Sequence, residues 1–137
     1  MQRNTSLVHG SGIDEAYGLI HTGCCMSVLS VCISRKVGCV SMTAFRQTAL
    51  GEPESTEDTL SEGDWIKLKN LVEESNFWNL PECHDIGGLD GWEWRIEGQD
   101  SERYHSSSCW APRAGAFYCL GSLLVELSGL VLPHDAP

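Results

Sequence analysis

Two short stretches carry the side chains that most often do chemistry: Cys83-His84, and His105-Ser106-Ser107-Ser108-Cys109. Together they offer two thiolates and two imidazoles, a set that zinc accepts in tetrahedral geometry. The adjacent Cys83-His84 pair is awkward for that, because neighbouring side chains rarely converge on one ion. A thiol nucleophile at Cys109 with His105 as its base is the other arrangement to weigh. At i and i+4 on a strand the two share a face, but their Cα atoms lie about 13 Å apart, beyond hydrogen-bond reach. No local cysteine-protease signature surrounds either residue. The residues therefore assign no catalytic group, no metal-ligand set and no cofactor. A small hydrolase or metal-dependent enzyme built on residues 83–84 and 105–109 stands as the alternative.

Asp85, Asp90, Glu93 and Glu97 are the carboxylates available for acid–base work. Glu93 and Glu97 alternate with Trp92, Trp94 and Ile96, which puts them on the polar, solvated face of a strand. Asp90, in Leu89-Asp90-Gly91, reads as a turn former that bonds its own backbone. Gly87-Gly88 lacks the flanking strand, helix and lysine of a phosphate loop. Five tryptophans remain: Trp65, Trp78, Trp92, Trp94 and Trp110. Most belong to a core, and those near residues 87–94 are the ones placed to anchor a partner. The candidate binding set is Asp90, Trp92, Trp94, His105 and Trp110.

These side chains must be carried by strands and helices that the pattern predicts. Val28–Ile33 and Cys39–Phe45 read as two strands around a turn at Arg35-Lys36-Val37-Gly38. Residues 50–60 read as a polar loop. Ser61 is an N-cap, with Asp64 three residues on, for a helix whose apolar face is Trp65, Leu68, Leu71, Val72 and Ser75. Pro81 blocks its continuation. A hairpin follows, Trp92–Glu97 and Arg103–Trp110, of ambiguous register. A two- or four-residue loop pairs Ile96 with His105 and Trp94 with Ser107. A three- or five-residue loop sets Tyr104 or Ser106 opposite Ile96 and inverts the faces. A second helix spans Ala114–Ser128, with Gly121 allowing close approach and Gly129 just past its end. The order ββαββα predicts an α+β fold, an antiparallel four-stranded sheet with two helices on one face. Residues 1–23 lack periodicity and read as a disordered or loosely attached arm; 26–132 form the single domain, with Met26 an alternative start.

Phe77-Trp78-Asn79-Leu80-Pro81, Leu89-Asp90-Gly91, Trp94, Glu97-Gly98, Tyr104-His105, Trp110-Ala111-Pro112 and Gly115 together form a spaced pattern. In it the chain resembles a group of small uncharacterised bacterial proteins with Phe-Trp-x-Leu-Pro, Leu-Asp-Gly, Trp-x-x-Glu-Gly, Tyr-His and Trp-x-Pro. The resemblance covers about residues 61–130 and implies that this stretch is one unit. It implies no activity. The chain departs from the pattern at Ser106–Cys109, where apolar residues and a basic one are expected, which points to an edge strand there.

The whole chain narrows the function classes. It has 137 residues and a net charge of −10. Residues 51–102 carry fifteen acids against three bases, whereas residues 1–50 carry two against four. Such a surface repels phosphate backbones, so nucleic acid is not an expected partner. The apolar run of 114–132 is interrupted by Ser122, Glu126 and Ser128, so no membrane span is expected either. Seven cysteines, an odd number without a C-x-x-C pair, favour free thiols in a reducing, cytoplasmic setting. The expectation is a small acidic, non-enzymatic binding domain, with a protein as the partner.

Overall fold

A computed structural model describes residues 14–23, 27–82, 92–110, 112 and 114–132. The chain runs through β1 (Glu15–Thr22), β2 (Val28–Lys36), β3 (Cys39–Gln47), β4 (Glu54–Leu60), α1 (Glu62–Glu74), a 3-10 turn at Phe77–Asn79, β5 (Glu93–Gln99), β6 (Tyr104–Trp110) and α2 (Gly115–Ser128). The strands form one antiparallel sheet of six, in the order β4-β3-β2-β1-β5-β6. The α+β class agrees with the sequence. The four-stranded sheet does not, and two segments account for the difference.

The first is β1. Within the expected arm of residues 1–23, Glu15–Thr22 is a strand in the interior of the sheet, paired with β2 on one side and β5 on the other. Tyr17, Leu19 and His21 face the core and are fully buried. Gly18 interrupts the apolar pattern in the sequence, yet it is buried in the middle of the sheet. The second segment is β4, which lies in the expected polar loop of residues 50–60. Its seven residues have no apolar alternation because none of them is fully buried and only Leu60 packs against the core, so pairing with β3 defines it as a strand.

The helices lie on one face. Their core partners are Tyr17, Leu19, Leu29, Val31, Ile33, Val40, Met42, Ala44, Trp94 and Ile96, all on the same side of the pleat. In α1, Ser61 accepts a hydrogen bond from the Asp64 backbone N–H at 3.0 Å, and Trp65, Leu68 and Val72 are buried. Asn76 takes the left-handed conformation (φ 53°) that turns the chain out of the helix. In α2, a Cβ on Gly121 would lie 2.3 Å from the Trp94 ring, so only glycine lets this helix seat on the sheet. Gly129 ends α2 at φ 75°.

The hairpin register resolves as a four-residue turn, Asp100–Arg103, with Ile96 opposite Ser107 and Trp94 opposite Cys109. This is the parity that puts His105 on the helix face, displaced by two residues from the expected pairings. Asp100 sets the turn. Its carboxylate accepts from the backbone N–H groups of Glu102 (2.9 Å) and Arg103 (2.8 Å) and from the Arg103 guanidinium (2.7 Å).

Candidate binding site

The expected binding residues do not converge. Asp90 lies outside the described residues, as do Asp85, Gly87 and Gly88. Trp94 is 1% exposed. Its indole donates to His21 Nδ1 at 2.9 Å and stacks on Tyr118 at 5.8 Å, so it offers no surface to a partner. The bond also places the imidazole proton of His21 on Nε2, since an indole N–H can only donate. Trp92 is half-buried against the rim of the core. His105 shares a 2.8 Å hydrogen bond with the Leu80 carbonyl and meets Phe77 edge-on at 5.2 Å. Trp110, half-buried, sits on the opposite face of the sheet from Trp94 and His105, at the far end of β6.

The Cys/His chemistry is likewise not assembled among the described residues. Cys83 and His84 lie outside them. Cys109 is disulfide-bonded, against the expectation of free thiols, while Cys32, Cys39 and Cys119 are in no disulfide. No group of three or more His, Cys, Asp or Glu side chains placed for a metal occurs among the described residues. No described helix is long and apolar enough to cross a membrane.

The face without helices is different in character. Glu93 is exposed there as expected, but Glu97 is fully buried. It stands in a cross-strand row with Gly18, which pairs with Glu97 on one side and with Cys32 on the other. The Glu97 carboxylate lies 3.3 Å from the Arg95 guanidinium. Burial, and then the charge of Glu97, push the Cys32 thiol up to about 11, so this thiol stays protonated at neutral pH.

Beyond Cys32, toward β4, the same face holds a shallow depression of about 190 Å³. Its floor is two cross-strand rows. One is Ser30–Phe45–Ser55 and the other is Cys32–Thr43–Glu57, each running β2-β3-β4. Hydroxyl groups, one phenyl ring, one protonated thiol and one carboxylate thus line it. Glu57 is exposed and makes no ion pair among the described residues, unlike Glu54, whose carboxylate lies 3.6 Å from Arg46. None of these residues stood out in the sequence. A signal was present in the alternation of Ser30, Cys32 and Ser34 with Val31 and Ile33, which marks a small, polar face behind an apolar one.

β4 borders this depression and is one of the two edges of the sheet. At the other edge, the Leu80–Pro81 chain lies against β6, where the Pro81 carbonyl accepts from Ser107 Oγ at 2.8 Å. β4 carries Glu54, Glu57 and Asp58, follows Glu52, and shows no buried residue. No protein-family model matches the chain, and no curated protein matches it.

Proposed function

We propose that this protein is a non-enzymatic binding domain that takes up an extended, basic segment of a partner protein along β4. The observation that carries the reading is an acidic sheet edge without a buried residue. A strand at such an edge has backbone N–H and C=O groups directed away from the sheet, which a further strand can pair. The acids select what pairs. Two copies of β4 repel each other, whereas a strand bearing Lys or Arg gains from cross-strand charge pairs. The net charge of −10 attracts such a segment at a distance.

An enzyme built on His105 and Cys109 is less well supported, because the first is bonded to a carbonyl and the second to another sulfur. A disulfide also favours an oxidising compartment over the cytoplasm for this role. The test is a titration with a seven-residue peptide of alternating Lys and Val, followed by amide NMR. The expected result is shifts concentrated at Glu54–Leu60, with weakening as salt rises. A peptide N-methylated on alternate residues should lose binding when the methylated edge faces β4. Equal binding by all N-methylated forms, or shifts elsewhere only, would overturn the reading.

A further inference from the structure

We infer that the depression over Ser30–Phe45–Ser55 and Cys32–Thr43–Glu57 is a side-chain pocket that accepts an arginine of the strand added at β4. The inference rests on that reading of the edge but stands on a separate observation, the lining of the depression.

Three features of that lining favour a guanidinium. Glu57 is an exposed carboxylate without an ion pair among the described residues, at the rim nearest the incoming strand. Phe45 presents a ring in the middle row, and a guanidinium stacks on an aromatic face where an ammonium remains strongly hydrated. Ser30, Thr43 and Ser55 add hydroxyl acceptors for the outer N–H groups.

The approach is also set by strand geometry. On one face of a sheet, side chains of neighbouring strands stand about 5 Å apart. A residue of the added strand opposite Ser55 or Glu57 would stand on the same face as the depression, one strand outside it. Its side chain must cross β4 to reach Phe45, and arginine combines length with a planar head. A large apolar side chain would leave the hydroxyls and Glu57 unpaired at the contact, and an acidic one would be repelled.

The pocket is tested apart from the strand with n-butylguanidinium chloride, followed by side-chain and amide NMR of the full chain. Shifts at Thr43, Phe45 and Glu57 that saturate in the millimolar range, and that weaken at least fivefold in Glu57→Gln, are expected. n-Butanol at the same concentrations should leave these residues unmoved. No saturable shift there, or the same response in Glu57→Gln and the parent, would overturn the pocket while leaving strand addition standing. The second arm uses the Lys/Val peptide with one residue changed to arginine or to citrulline. Arginine is expected to bind about tenfold tighter than citrulline to the parent, and less than threefold tighter to Glu57→Gln. Equal ratios in both proteins would also overturn it. Circular dichroism of Glu57→Gln should match the parent, since the residue is exposed on an edge strand. If the N-methylated peptides show no strand pairing but n-butylguanidinium still saturates these residues, the pocket holds and the edge reading fails.

Discussion

At the scale of single residues, glycines and cysteines behave oppositely according to what surrounds them. Gly63 in α1 and Gly121 in α2 look alike in sequence, each a helical glycine. A Cβ on Gly63 would stand 3.7 Å from Ser61 Oγ, an ordinary contact, whereas one on Gly121 would lie 2.3 Å from the Trp94 ring. Gly63→Ala should therefore stabilise the protein by about 0.5–1 kcal/mol through helix propensity. Gly121→Ala should destabilise it by about 1–3 kcal/mol, because Trp94 is locked by His21 and Tyr118 and cannot give way. Urea melts of the two variants check both signs. Among the thiols in no disulfide, Cys39 and Cys119 are exposed, and Cys32 is half-buried with its thiol pushed up to about 11. Iodoacetamide at pH 8 should modify Cys39 and Cys119 well before Cys32, a rank that peptide mass mapping reads directly.

At the scale of elements, β1 and the Asp100–Arg103 turn carry the structure that local pattern did not foresee. β1 joins the β2-β3-β4 half of the sheet to the β5-β6 half. A chain beginning at Met26 lacks it, and is expected to show no cooperative thermal transition, whereas an independent arm could be removed at little cost. Leu19→Ala, a milder change at the centre of β1, should cost about 2–5 kcal/mol. The turn has its own pH dependence. Burial raises the Asp100 carboxyl, but the Arg103 guanidinium and two backbone N–H groups outweigh it and hold the carboxyl below the usual range. A carboxyl depressed in the folded state stabilises it above the unfolded pKa of about 4, and this contribution is lost as pH falls through the folded value. The stability difference between the parent and Asp100→Asn should thus be constant from about pH 7 to pH 5 and shrink below about pH 4. Chemical melts at each pH measure it.

At the scale of the whole molecule, the two faces of one sheet have separate tasks. Both helices cover one face and bury its apolar side chains, while the opposite face keeps Ser, Thr, Cys and Glu around Gly18 and ends in the acidic edge of β4. Cys109, which is disulfide-bonded, lies on β6, the edge strand at the other end. Reduction with dithiothreitol should lower stability by about 2–4 kcal/mol, read as a shift in the urea midpoint. It should leave peptide binding at β4 unchanged, since four strands separate β6 from that edge.

The parts of this protein legible in its sequence are those whose determinants are local. The Ser61 cap, the apolar face of α1, the glycines at 121 and 129 and the β2–β3 turn each depend on residues within a few positions of one another, whereas α1 ends at Glu74, turned out by the left-handed Asn76, and not at Pro81. What tertiary structure alone decided depends on residues far apart in the chain. β4 is a strand because β3 lies beside it, and its own residues alternate nothing. β1 tolerates Gly18 because Cys32 and Glu97 stand on either side of it, 14 and 79 positions away. Glu97 looked solvated because a period of two says which face a residue takes, and not whether that face is open. The depression at Phe45 belongs to the same class: β2, β3 and β4 all contribute to its lining, and no single segment of sequence contains the site.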